Sequence, residues 1–126
     1  MSYANRYAQA QAETASPERL MVLLFEAALK HMRTAAVALE QGRPADAHRS
    51  LSRAGEIVAQ LHASLDPSRA PDLCERLGEL YRFVCGRLLD ATTGNDPQKA
   101  REAERVFAPI AEGFTQAVAS LGGARP

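Results

Sequence analysis

Apolar residues recur at alternating spacings of three and four along four separate segments of the chain, and this period limits the fold more than any other feature. The first segment contains Val22, Phe25, Leu29, Met32, Ala36 and Leu39. Because an α-helix has ~3.6 residues per turn, these side chains share one face of a helix about seven turns long. A second row of Leu20, Leu24, Ala28 and Ala35 widens the face. The helix must therefore be covered by neighbours on more than one side.

Start and stop signals divide the chain between these segments. Ser16 can cap the free amides of a first turn, and Pro17 suits the first helical position, where a missing N–H costs nothing. Gly42 can supply the left-handed residue that often follows a helix. Pro67 and Pro71 lie close together in the chain and interrupt any helix there. The predicted helices are Pro17–Gln41, 44–65, Pro71–Ala91 and a fourth that begins at Pro97.

The third and fourth helices each carry an unusual feature. The predicted buried stripe of the third consists of Leu73, Leu77, Leu80, Val84 and Leu88. With its apolar flanks this helix is apolar around more than half its circumference, so it is either central or partner-binding. Before the fourth helix, Gly94 or Asn95 can adopt positive φ and Asp96 can act as a cap. Inside that helix, Pro109 predicts a kink.

Four amphipathic helices joined by short loops pack most simply as an antiparallel four-helix bundle. The sequence contains no alternating β-branched run bounded by turn residues. We therefore predict an all-α fold with a short mobile N-terminal tail (residues 1–15), a bundle (16–122) and a C-terminal tail (123–126).

Composition narrows the function classes. The chain has 126 residues, enough for one domain, and carries 15 basic and 15 acidic side chains. This balance argues against a nucleic-acid partner bound by bulk charge. No run approaches the ~18 apolar residues of a membrane span, so we expect no membrane insertion and a cytoplasmic location. Cys74 and Cys85 are expected to be free thiols.

Catalytic patterns are sparse, and we predict neither an enzyme, a cofactor nor a metal site. The three histidines fall on different helices or faces. One bundle chemistry needs only a single exposed histidine, namely phosphotransfer. His31 follows Lys30 and is followed by Ala35 and Ala36, which is a loose match to such a site. The remaining interpretation is a binding module that holds an amphipathic helix of another chain in a groove.

Three segments resemble the flagellin-specific export chaperone family, FliS. The first is Gln11 to Leu20, which includes a Thr-Ala-Ser-Pro cap and is followed by Leu24 to Ala28; the second is Leu80 to Leu88; the third is Ala54 to Asp66. They occur in the family's order over nearly the whole chain. Phe25 and Phe83 stand where the family usually has tyrosine, and Gly86 stands where an arginine is common.

The resemblance implies a cytoplasmic chaperone that binds the disordered C-terminal segment of flagellin, prevents premature polymerisation and helps deliver it to a component of the flagellar export gate. It also implies that the N-terminal tail can occupy the groove when no client is bound. The candidate partner-binding residues are Tyr7, Ile57, Leu61, Leu65, Leu77, Tyr81 and Val84. Arg87 corresponds to a family arginine and is expected to tie helices together.

Overall fold

The predicted four-helix architecture is confirmed by a computed structural model that describes residues 16–123. Within that range the chain forms α-helices and contains no strand. The helices are α1 (Pro17–Glu40), α2 (Pro44–Ala63), α3 (Pro71–Gly94) and α4 (Pro97–Gly123). Each one begins with a proline, whose fixed φ suits the first turn. Tyr7 lies outside the described residues.

The helices form a square, antiparallel arrangement. Helices α1 and α3 each pack against both α2 and α4. Glu40, at the end of α1, accepts a hydrogen bond of 2.9 Å from Arg101, near the start of α4. His48, near the start of α2, lies 2.7 Å from the side chain of Asn95, just after α3. One end of the bundle, here called the proximal end, therefore holds the starts of α1 and α3 and the ends of α2 and α4.

The ends of α1 follow the predicted capping chemistry. The Ser16 hydroxyl accepts a hydrogen bond of 3.1 Å from the backbone N–H of Arg19. This contact satisfies one of the amides that the first turn leaves free. Gly42 has φ +72, a left-handed conformation that lets the chain reverse into α2.

The turn between α3 and α4 resolves the choice between Gly94 and Asn95. Asn95 takes the positive φ of 48, and Gly94 is the last residue of α3. Asn is the non-glycine residue that tolerates this conformation best, because its short side chain can bond locally. Asp96 then accepts a hydrogen bond of 2.9 Å from the backbone N–H of Gln98. α3 is thus three residues longer than predicted.

The core runs the length of the bundle and is built from all four helices. Its largest fully buried side chains are Phe107, Met32, Leu61, Val22, Val58 and Val84. Phe25 on α1 lies between two aromatic rings of α4, with centroid distances of 5.6 Å to Phe107 and 5.1 Å to Phe114. Such tilted pairs add attraction beyond the burial of their area.

The predicted buried stripe of α3 is wrong at two positions. Leu73 is 56% exposed and Leu80 is 39% exposed. The residues that α3 buries are Gly78, Tyr81, Val84, Leu88 and Ala91. The helix is turned so that the line through Tyr81 faces the core, and it packs mainly against two neighbours, α2 and α4. Part of its wide apolar surface therefore remains open to water.

Pro109 does not end α4, which continues from Pro97 to Gly123. A proline inside a helix removes one backbone hydrogen bond, here to the carbonyl of Arg105. The predicted kink at this position stays a prediction.

Ion pairs join α4 to its neighbours α1 and α3. Glu104 accepts hydrogen bonds from Arg33 of α1 at 2.8 Å and from Arg101 at 3.1 Å. Burial alone would raise the pKa of Glu104, but these two guanidinium groups outweigh it and lower the pKa. Arg87 of α3 contacts Glu102 of α4 at 3.4 Å, which confirms its expected role of tying helices together. Partly exposed pairs of this kind contribute about 0–1 kcal/mol each, so they add little to the stability of the bundle.

Replacing Gly42 by alanine is expected to lower the free energy of unfolding by about 1–2 kcal/mol, because a Cβ is disfavoured at positive φ. Gly55→Ala is the matched control. Gly55 lies inside α2, and a Cβ there would meet no atom within 4 Å. The control should stabilise the protein by about 0.5–1 kcal/mol through helix propensity. Urea denaturation of both variants measures the difference, and equal effects of the same sign would contradict it.

Candidate functional site

An open apolar groove of about 370 Å³ lies at the proximal end of the bundle. All four helices contribute to its wall. It is lined by Met21, Phe25, Leu61, Ser64, Leu65, Leu73, Leu77, Tyr81, Pro109, Ile110, Gly113 and Phe114.

Helical spacing brings these residues together. On α3, Leu73, Leu77 and Tyr81 follow one another at intervals of four, so they form one row along the helix. On the α2 side, Leu61 and Leu65 are one turn apart and lie where α2 ends. The antiparallel packing places both rows at the proximal end, opposite the second half of α4. The groove is therefore a product of the topology as well as of local periodicity.

The groove has a buried floor and an exposed rim. Phe25 and Tyr81 are each 2% exposed and Leu61 is 1% exposed, so these residues belong to the core as well as to the floor. Leu73 is 56% exposed and stands at the rim. A Cβ on Gly113 would meet no atom within 4 Å, so this glycine leaves room in the wall. An apolar side chain entering the groove would bury exposed leucine surface, which favours binding.

None of the groove-lining side chains within residues 16–123 is charged. Its polar side-chain groups are the hydroxyls of Ser64 and Tyr81. Ser64 donates a hydrogen bond of 2.7 Å to the carbonyl oxygen of Leu61. Burial raises the pKa of Tyr81 to about 12, so its hydroxyl stays protonated in neutral solution. This chemistry suits an uncharged, apolar ligand.

The structure brings four of the predicted partner-binding residues into this groove, namely Leu61, Leu65, Leu77 and Tyr81. Val84 is 0% exposed and lies in the core, one turn beyond Tyr81. Ile57 is partly buried against the core and does not line the groove. Both residues follow the apolar periodicity of their helices. Their positions lie further from the proximal end than the groove does, where the helices pack closely together.

Sequence reasoning missed the contributions of α1 and α4. The residues on these helices that line the groove are Met21, Phe25, Pro109, Ile110, Gly113 and Phe114. Phe25, Ile110 and Phe114 lie at the three-four spacings that also predict core packing. Periodicity therefore could not distinguish these groove residues from core residues. Pro109 and Gly113 carried the available signal, because two helix-weakening residues interrupt an otherwise regular apolar helix.

His31, the candidate phosphotransfer residue, lies away from the groove in the middle of α1. Its partial burial, together with the nearby charges of Arg53 on α2 and Lys30, lowers its pKa. This shift favours the neutral imidazole. Phosphotransfer by His31 stays a prediction.

The part of the chain that the structure describes, residues 16–123, contains no cluster of three or more His, Cys, Asp or Glu side chains with metal-binding geometry. None of its helices combines the length and the apolar character that a membrane span requires.

Comparison with known proteins decides the family. The family model described as flagellar protein FliS matches residues 1–121. The chain belongs to this family. The resemblance seen in the capping motif and in the second and third helices is thereby confirmed.

Relatives of this FliS-family chain are flagellar secretion chaperones. The Salmonella typhimurium flagellar secretion chaperone FliS is 36% identical over 115 residues, which are 87% of this chain and 85% of the relative. The Bacillus subtilis flagellar secretion chaperone FliS is 29% identical over 114 residues, or 90% and 84% of the two chains. The crystal structure of a bacterial flagellar chaperone shares the fold, with a TM-score of 0.74 at 16% identity, and covers 94% of this chain and 99% of that one.

Leu61→Ala is expected to lower the free energy of unfolding by about 2–5 kcal/mol, because this FliS-family chain buries Leu61 completely in its core. Leu77→Ala should cost less. Leu77 is only partly buried, and part of its side chain faces the groove. Urea denaturation of the two variants gives both values, and an equal or larger loss for Leu77→Ala would show that its side chain supports the fold rather than the groove.

Proposed function

We propose that this protein is a flagellar export chaperone whose groove at the proximal end binds the disordered C-terminal segment of flagellin. One observation carries the proposal: the groove is open, uncharged and lined by apolar side chains from all four helices. The names of its relatives supply the flagellar context.

The shape of the groove suits an amphipathic segment that becomes helical on binding. Helices that dock in grooves present anchors at intervals of three and four residues. A volume of about 370 Å³ accommodates a few such apolar side chains. The row of Leu73, Leu77 and Tyr81 offers contacts at the same interval along α3. Client anchors one turn apart would therefore each meet a residue of the row.

Covering such a segment would prevent premature polymerisation. Exposed apolar segments associate with one another, and a groove that buries them removes the driving force. A disordered client loses conformational entropy when it becomes ordered, which lowers the net affinity. Moderate affinity suits a chaperone that must release its client to a component of the export gate. Binding and release of this kind require no catalysis and no cofactor.

Leu73→Asp should weaken binding of a flagellin C-terminal peptide by at least tenfold, because a charge at the rim would have to be desolvated against the apolar client. Leu89→Asp is the matched control. Leu89 lies on the same helix, is 63% exposed and does not line the groove. Titration calorimetry with the unchanged protein and both variants measures the affinities.

The outcomes separate the possibilities. Loss of affinity in Leu73→Asp with near-normal binding in Leu89→Asp supports the groove. Equal loss in both variants would place the client on a wider surface of α3. If the unchanged protein does not bind the peptide at concentrations of tens of micromolar, the proposal is contradicted.

Tyr7 is proposed to compete with the client for the groove. The described chain starts at Ser16, and Met21 and Phe25, in the first turns of α1, line the groove. Residues 1–15 therefore join the bundle next to it. A tyrosine, with its apolar ring and polar hydroxyl, is a suitable occupant for an apolar groove.

Tyr7→Ala is expected to tighten apparent client binding severalfold, since the competing side chain is removed, and to leave the thermal midpoint nearly unchanged. Calorimetry and thermal denaturation provide the two measurements. A lower midpoint with unchanged affinity would show that Tyr7 supports the fold instead.

A further inference from the structure

We infer that the hydroxyl of Tyr81 determines the register of the bound client by donating a hydrogen bond to one of its carbonyl oxygens. This inference rests on the proposed function and adds a polar contact of defined direction to an otherwise apolar site.

The first support is the inventory of polar groups in the groove. Among its twelve lining residues, Ser64 and Tyr81 carry the hydroxyls. The Ser64 proton is already engaged at the carbonyl of Leu61, at 2.7 Å. No hydrogen bond joins the Tyr81 hydroxyl to another residue within 16–123. Among the described residues that line the groove, Tyr81 is therefore the one whose hydroxyl proton is not engaged by another of them.

The second support is burial. The Tyr81 side chain as a whole is only 2% exposed, yet it lines the groove. Its ring lies against the ring of His62, with centroids 5.9 Å apart, so packing from α2 restricts how it can turn. A hydroxyl on a ring held in this way donates to a ligand only within a narrow range of directions.

The protonation state of Tyr81 makes it a donor. Burial raises its pKa to about 12, so the O–H bond is intact at every pH at which the protein would work. The matching client group is a carbonyl oxygen, because main-chain carbonyls at the end of a helix and those of Asn and Gln side chains lack a partner once water is displaced. Elsewhere in the groove, an oxygen of this kind would be buried without a hydrogen-bond donor.

Register is the property that this bond would control. Apolar contacts are non-directional, so a segment with anchors at helical spacing can shift by one turn and meet similar leucines again. A hydrogen bond has a short distance range and a preferred angle. One client carbonyl over Tyr81 would therefore be favoured above its neighbours one turn away.

The test uses the full-length chain and a peptide of the flagellin C-terminal segment encoded by the same genome. Tyr81→Phe removes the hydroxyl and keeps the ring. Ser64→Ala is the control, since it removes a hydroxyl that lines the same groove but is bonded within the protein. We expect Tyr81→Phe to weaken peptide binding roughly five- to fiftyfold, as a carbonyl buried without a donor would, while Ser64→Ala changes it less than threefold. Thermal denaturation should show that both variants remain folded.

A second readout reports register directly. A photo-crosslinking residue at one position of the peptide should react with a single site on the unchanged protein and with sites about one helical turn apart on Tyr81→Phe. Equal affinity and an identical crosslink in Tyr81→Phe would overturn the role of the hydroxyl and leave the proposed function intact. Failure of the unchanged protein to bind the peptide would overturn both.

Discussion

The contact of Phe25 with Phe107 and Phe114 holds α1 against α4, and the rest of the structure depends on it. The rings lie 5.6 Å and 5.1 Å apart, within the range in which aromatic pairs attract. Phe107 is wholly buried, whereas Phe25 and Phe114 also line the groove. The same cluster therefore stabilises the bundle and forms part of the surface that a client would meet. Changes to the floor of the groove would also affect stability.

The groove exists because the four helices do not close equally along their length. Toward the distal end the core is sealed by small residues, among them Ala36, Ala47, Ala91 and Ala100, each 0% exposed. At the proximal end Pro109 and Gly113 present little side chain where α4 faces the α3 leucines. A client segment is the occupant that we propose.

Local signals were sufficient for the four helices and for most of their ends, although α3 runs three residues further than predicted. The three-four periodicity predicted the four segments, and Ser16, Gly42 and the prolines predicted where they start and stop. These features are local: a cap bonds to an amide three residues away, and a positive φ is a property of one residue. Four of the candidate partner residues, including Leu77 and Tyr81, also share one groove. Ile57 and Val84 do not line it, because periodicity reports which face a residue lies on but not how deeply its neighbours cover it.

The sequence by itself determined an all-α chain of amphipathic helices, a composition with no net charge and, through three motifs, membership of the FliS family. Only the tertiary structure decided which apolar residues are core and which are surface. Leu73 and Val84 belong to the same predicted stripe, yet one is 56% exposed and the other 0%. The difference arises from the rotation of α3 and from what α2 and α4 place beside each residue. Burial depends on contacts between residues far apart in the chain, and no local pattern contains them.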